Sequence, residues 1–263
     1  MITLELNRFW DAPDHQILAI LISILFVSML IEIIYRVKAY DFRDTLTNIS
    51  MYVGFFLVNM IWIPLVYQIY VSVHDHSVWK IGEGWYYGGT SFLSWIALFI
   101  LDDFCYYWFH RLSHRFGILW ASHSAHHSSH QFNLSVAFRQ TWFPFYAFVF
   151  WLPLAFIGFD PIMILSMQMI SLAIQGFLHT EVIRSYGLLD LILNSPSHHR
   201  VHHGTQQKYL DRNFGAVLIV WDKLFATFQP EEEHPIYGIG EAVTYNPFRV
   251  AFHPFLNLIK RKP

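Results

Sequence analysis

The hydrophobic positions of the chain fall in long runs broken by short polar stretches. Several runs reach the roughly 20 apolar residues that a helix needs to cross a bilayer. Residues 17–35 form the first, with Glu32 near its end, and residues 49–73 form the second without a formal charge. The third covers residues 85–101 and continues through Phe104-Cys105-Tyr106-Tyr107-Trp108-Phe109. Residues 140–178 contain one acid or base, Asp160, and at about 1.5 Å per residue are too long for a single crossing. Gly158-Phe159-Asp160-Pro161 places turn chemistry at their middle, which predicts a tight helical hairpin. The expected fold is an all-α integral membrane protein of about four or five transmembrane helices. Residues 1–100 read as N-terminal membrane helices, and residues 101–263 as a second unit that contains the hairpin. From about His179 onward the chain is more polar, as expected of a cap lying against the membrane. The first eleven residues contain Glu5, Arg8 and Asp11 and do not read as a signal peptide.

Charge then orients the runs. If the segment after the first span is cytoplasmic, Arg36, Lys38, Arg43, Arg111, Arg115, Arg139 and every basic residue beyond Leu178 lie inside. Of 17 lysines and arginines only Arg8 and Lys80 remain outside, in keeping with the positive-inside rule. The expected location is a multi-pass protein of a bacterial inner membrane or, in a eukaryote, of the endoplasmic reticulum. Lys260, Arg261 and Lys262 read as an attraction to anionic lipid.

Composition agrees with a membrane protein: 14% of residues are charged, where a soluble domain has about 25%. Net charge is −2, which argues against a nucleic-acid partner. The single cysteine, Cys105, excludes an intrachain disulfide framework and any cysteine-based zinc or iron–sulfur site. What stands out is sixteen histidines in so short a chain.

Eight of them form three clusters. His110 and His114 make an HxxxH pair; His123, His126 and His127 make HxxHH; His199, His202 and His203 make a second HxxHH. On a helix, residues three and four apart share a face, so each cluster aims imidazoles in one direction. Imidazole suits iron, zinc, copper and nickel. Eight are too many for one metal ion and reasonable for two, and all eight fall on the cytoplasmic face. His179 ends the last hydrophobic run, where it either marks the interface or joins the same site. His198 adjoins His199 but points about 100° away on a helix, as a ligand or as a support for one. His15, His74, His76 and His234 read as solvent or interface residues.

No Glu with Glu-x-x-His pairing of the soluble di-iron bundles is present, so neutral ligands would leave two metals strongly cationic. Acids that accept the outer imidazole N–H groups would compensate. Asp102, Asp103, Glu181, Asp211 and Asp222 are the candidates, with a plain membrane-boundary charge the alternative for Asp102 and Asp103.

The order HxxxH, HxxHH, HxxHH between hydrophobic hairpins resembles the fatty acid hydroxylase/sterol desaturase superfamily over residues 101–254. Within it the pattern is most similar to the alkylglycerol monooxygenase branch. The likeness rests on Tyr106-Tyr107-Trp108-Phe109-His110-Arg111, His126-His127-Ser128-Ser129, His179-Thr180-Glu181-Val182-Ile183, Ser197-His198-His199-Arg200-Val201-His202-His203-Gly204 and Trp221-Asp222-Lys223-Leu224-Phe225. The resemblance implies a non-haem di-iron oxygenase with a cytoplasmic, histidine-rich catalytic cap and His179 as a ninth ligand. Ile183 stands where some fatty acid hydroxylases carry another histidine, which implies two metals unequal in ligand number.

The activity so implied is hydroxylation of a lipid C–H bond with O2; beside an ether oxygen this gives a hemiacetal that falls apart to an aldehyde and a glycerol. Acyl-chain, sterol or headgroup hydroxylation and desaturation are the alternatives within the superfamily. Acyl-CoA desaturases also carry three histidine boxes, but the short gap from His114 to His123 argues against them. No flavin, haem or iron–sulfur segment is evident, so electrons must come from a partner protein or a diffusible reductant such as tetrahydrobiopterin. Zinc would occupy such a site readily in purified protein without activating O2. A metal transporter or sensor is disfavoured, because transport sites sit near mid-bilayer and these histidines lie beyond the span ends. One face of residues 140–178, rich in Phe and Trp at its start, is expected to line an apolar tunnel from the metals into the bilayer.

Overall fold

The computed structural model describes residues 14–82 and 91–260, the side chains of 14, 15, 259 and 260 excepted. Glu5, Arg8, Asp11, the start of the third run, Arg261 and Lys262 lie outside the described residues, as does the side chain of His15. The described chain is helical, with two isolated bridges, Ile81 to Phe159 and Leu193 to Leu218, as its β-pairing.

Among the described residues three helices are long and apolar enough to cross a membrane: α1 (Asp14–Tyr35), α2 (Phe42–His74) and α3 (Phe92–Arg115). Asp41 caps α2 by accepting from the Asp44 N–H, and Ser91 caps α3 by accepting from that of Ser94. Among the described residues, outward side chains of the spans such as Ile24, Leu57 and Ile61 stay exposed, as expected of surface made for lipid. At about 1.5 Å per residue α2 runs about 50 Å, well beyond the roughly 30 Å hydrocarbon core. Its polar first turns, with Arg43, Thr47 and Ser50, therefore project into the cap.

Residues 140–178 turn where the sequence places the turn, but their two legs differ. The second is one helix, α6 (Pro161–Gly176), started by the Asp160 side chain accepting from the Ile162 N–H with proline at the first helical position. The first is largely irregular, with a 3-10 turn at Ala147–Phe150 and the short helix α5 (Leu152–Ile157). Pro144 and Pro153 and a run of bulky aromatics oppose a continuous helix there. Gly158 closes α5 at φ +113°, and a Cβ at that position would stand 1.9 Å from the Trp79 carbonyl oxygen. The turn is held at the far end of the bundle by Ile81 N–H donating to Gly158 O and Asp160 N–H to Ile81 O.

At the opposite end, the close of α1, the start of α2 and the end of α3 meet a cap made of α4 (Gly117–His127), α7 (Pro196–His202), α8 (Val220–Leu224) and α9 (Pro247–Lys260). Two buried ionic groups lock this junction. Glu32, inside α1, accepts from the Leu134 N–H at 2.9 Å and from the hydroxyls of Tyr40 and Thr180. Arg139, fully buried, donates to Asp44 and Asn48 of α2 and to Ala125 O at the close of α4. Burying such groups is tolerable only when they are hydrogen-bonded, as Glu32 is, or also paired with an opposite charge, as Arg139 is with Asp44.

Candidate metal centre

The nine histidines singled out by the sequence converge in two groups. His110, His114, His123, His127 and His202 form one, and His126, His179, His199 and His203 the other; within each group the candidate ligand atoms lie within 4.8 Å of one another. Helical geometry explains the division. In the second box His123 and His127, four apart, serve the first group, while His126 turns to the second. In the third box the roles are exchanged: His199 and His203 serve the second group and His202 the first. Adjacent histidines stand about 100° apart on a helix, so each His-His pair straddles the two groups. The groups touch where the rings of His127 and His203 stack at 4.3 Å. His110 and His114 come from the last turns of α3, and His179 from the chain leaving α6. The sharing of each HxxHH box between two groups was not read from the sequence, although the His-His pairs carry the signal.

The geometry fits metal ions. His110 Nδ1 faces Phe214 O at 2.9 Å and His202 Nδ1 faces Arg212 O at 2.9 Å. A carbonyl oxygen only accepts, so these rings carry their proton on Nδ1 and present a lone pair at Nε2. Yet His110 Nε2 stands 2.9 Å from His123 Nε2, which is 3.1 Å from His127 Nε2, itself 3.1 Å from His202 Nε2. In the second group His179 Nε2 lies 3.1 Å from His126 Nε2 and 3.0 Å from His199 Nε2. There are too few protons to bridge such a string of nitrogens. A cation at about 2.1 Å from each would place neighbouring ligands at right angles about 3.0 Å apart. His114 Nε2 and His203 Nε2 are buried with no hydrogen-bond partner, as ligand atoms awaiting a cation would be. Burial lowers the pKa of His127, His199, His202 and His203 well below that of free imidazole, and that of His126 to about 4. The rings are therefore neutral near pH 7, the form that binds metal.

Among the carboxylates Asp211 reaches the centre directly, its Oδ1 3.7 Å from His114 Nδ1. Asp222 acts one step back: it accepts from the Phe214 and Gly215 N–H groups and from the Thr227 hydroxyl, fixing the carbonyl that receives His110. Asp103 accepts from the Val217 N–H and the Trp221 indole and so pins the cap loop to α3. Asp102 bonds the Trp151 indole, away from the histidines. Glu181 pairs with Arg36 and Tyr237, and the His198 ring lies on Phe228, outside both groups. His74 is buried rather than at an interface. The sequence did not single out the walls of the centre: Trp120, packed on His114 and His127, and Phe132, stacked on His179.

Two cavities border these walls. One, of about 300 Å³, is lined by Arg36, Lys38, Phe132, Glu181 and Tyr237; the other, of about 390 Å³, by Trp120, Ser124, Glu241, Pro254 and Leu258. Both belong to the cap, and neither is the apolar tunnel expected along residues 140–178. The aromatics of that segment instead fill space between helices, Phe145 and Phe148 against Trp62, and Phe150 and Trp151 against Phe109.

The fatty acid hydroxylase family model matches residues 95–227, the stretch that carries most of α3 and all nine of these histidines, and the chain belongs to that family. Among curated proteins it is 44% identical to the alkylglycerol monooxygenase of Homo sapiens over 63% of this chain and 37% of that one. It is 31% identical to an ornithine lipid hydroxylase of Rhizobium tropici over 49% of this chain and 40% of the relative. A Δ7-sterol 5(6)-desaturase of Schizosaccharomyces pombe is 26% identical over 73% of this chain and 60% of its own length. The chain thus spans little more than a third of the alkylglycerol monooxygenases it matches. No solved structure matches it significantly.

Proposed function

We propose that this chain is a membrane-bound lipid monooxygenase in which nine of the sixteen histidines hold two iron ions. The observation that carries the reading is the pair of interlocked groups with converging, proton-poor Nε2 atoms. His110, His114, His123, His127 and His202 would hold one ion, and His126, His179, His199 and His203 the other. Bound iron would supply the activation of O2 needed to attack an unactivated C–H bond; the protein supplies position and environment. Phe214 O, Arg212 O and Asp211 keep the outer imidazole nitrogens protonated and the rings aimed. Trp120 and Phe132 keep bulk water from the rings they cover. The relatives' names favour an alkyl ether lipid as substrate, attacked at the carbon beside the ether oxygen. The electrons come from a partner protein or a reduced pterin. The excess of Lys and Arg at the histidine end favours a cytoplasmic site. Residues 101–263 would form the metal-binding unit and residues 1–100 its membrane anchor.

Iron-loaded protein in lipid nanodiscs with 1-O-hexadecylglycerol, reductant and 18O2 tests the reading. Hexadecanal carrying 18O, formed only with iron, is the expected product. The likeness to the ornithine lipid hydroxylase supports a second reading, hydroxylation of a lipid without ether cleavage. An intact 18O-hydroxylated lipid in place of the aldehyde would establish it, and no oxygen incorporation into any lipid would defeat both.

A further inference from the structure

The C-terminal helix α9 has three faces. Val250 and Ala251 are buried with Met51 and Ala125, packing the helix onto α2 and α4. Arg249 and His253 form an exposed polar edge, with His253 facing Glu241. Between these faces runs a stripe of Phe248, Phe252 and Leu256, four residues apart, exposed by 64%, 45% and 49%. Three large apolar side chains in one exposed row are more than scattered surface hydrophobes and call for an occupant.

The surroundings identify one. Trp142 packs its ring edge-on against Phe248 at 5.3 Å and Phe252 at 6.1 Å, while its indole N–H donates to Met51 O of α2. Trp142 lies so close to α2 that a Cβ on Gly54 would stand 2.2 Å from it. The stripe therefore joins α2 at the start of its charge-free stretch, residues 49–73. Thr47, a turn earlier, bonds Tyr245 O just ahead of α9, and Val53, Phe56 and Leu57, just beyond, face outward. A tryptophan at such a level is characteristic of the membrane–water boundary. Arg249 flanks the stripe, and the sequence continues with the basic residues Lys260, Arg261 and Lys262.

We propose that α9 lies in the plane of the membrane surface, its Phe248–Phe252–Leu256 stripe sunk into the acyl region of the leaflet that α2 crosses at Val53. An amphipathic helix with aromatic and aliphatic residues on one side and basic ones on the other binds lipid in this way. Because α4 carries the second histidine box and rests on α9, the attachment sets the depth of the histidine groups at the bilayer surface.

Single cysteines introduced by Phe252→Cys, Leu256→Cys and His253→Cys in a Cys105→Ser background, labelled with an environment-sensitive fluorophore in nanodiscs of phosphatidylcholine and phosphatidylglycerol, test this. The probes at 252 and 256 should emit to the blue and lose intensity with acyl-chain-brominated lipid, and the probe at 253 should respond to aqueous iodide instead. Equal iodide quenching at all three positions would overturn the proposal. So would protection of 252 and 256 from both quenchers with disulfide crosslinking of the unlabelled Phe252→Cys chains, which would assign the stripe to a second copy.

Discussion

At the scale of single residues, the centre depends on which nitrogen of each ring is free. Backbone carbonyls hold the Nδ1 protons of His110 and His202, and so direct the Nε2 lone pairs inward. His202→Ala should therefore remove close to one iron per chain and abolish lipid oxidation, with the helix content of the chain unchanged. His198→Ala, on a ring packed against Phe228 and outside both groups, should keep two irons. Equal metal loss in the two variants, measured by atomic emission, would contradict the assignment. Asp211 makes a finer case. It sits at φ +58°, a conformation that asparagine accepts as readily as aspartate, so Asp211→Asn leaves the backbone in place and alters only the charge facing His114. Loss of a carboxylate behind a ligating imidazole weakens metal binding by about 10- to 100-fold. At 3.7 Å the pairing is long, so competition with a chelator should show a loss of about tenfold, confined to the five-histidine group.

At the scale of elements, buried ionic ties between spans and cap carry more than the helices' own propensities. Arg139 links α2 to the close of α4 through Asp44, Asn48 and Ala125 O, and its own carbonyl faces His126 Nδ1 at 3.3 Å. Arg139→Ala would strand the buried Asp44 carboxylate, a change that destabilises by about 3–5 kcal/mol. Thermal unfolding in detergent should show a clear drop in Tm, together with loss of iron from the His126 group. The double variant Arg139→Met/Asp44→Leu should recover much of the Tm, because no unpaired charge remains. This level was also the least legible in the sequence. The three long spans followed from run length, and the three boxes from i, i+3 and i+4 spacing, because both signals are local. Glu32 reads there as a charge near a span end, whereas it binds Leu134 and Thr180, about 100 and 150 residues away in the chain. The first leg of residues 140–178 reads as helix from its hydrophobicity alone, but Pro144 and Pro153 and the aromatic packing on Trp62 and Phe109 break it up. Trp120 and Phe132 carry no motif, and only the folded chain brings them against the histidines.

At the scale of the whole molecule, stability is divided between a bundle that lipid sustains and a cap built around nine neutral imidazoles. Without cations the cap has a string of Nε2 atoms facing one another at about 3 Å with too few protons to bond them all, so part of the string sets lone pair against lone pair at a cost in electrostatic energy. Metal binding then counts as folding energy for the segments that carry the ligands. A metal present at 1,000 times its dissociation constant adds about 4 kcal/mol per independent site. The gain should fall on α4, α7 and the chain after His179, because those elements provide seven of the nine ligands and hold them in place through loops rather than spans. Other contacts also fasten the cap: Asp103 to the turn at Val217 and Leu218, Asp222 to Phe214 and Gly215, and Arg200 to Glu231 at 2.7 Å. The two contributions separate in hydrogen exchange on iron-loaded and chelated protein in nanodiscs. Removal of metal should speed exchange across residues 117–127 and 196–204 by an order of magnitude or more, while α1 and the middle of α2 remain protected. Unchanged exchange in those segments would mean that the carboxylate ties alone hold the cap and that the histidine groups are preformed at no cost to the fold.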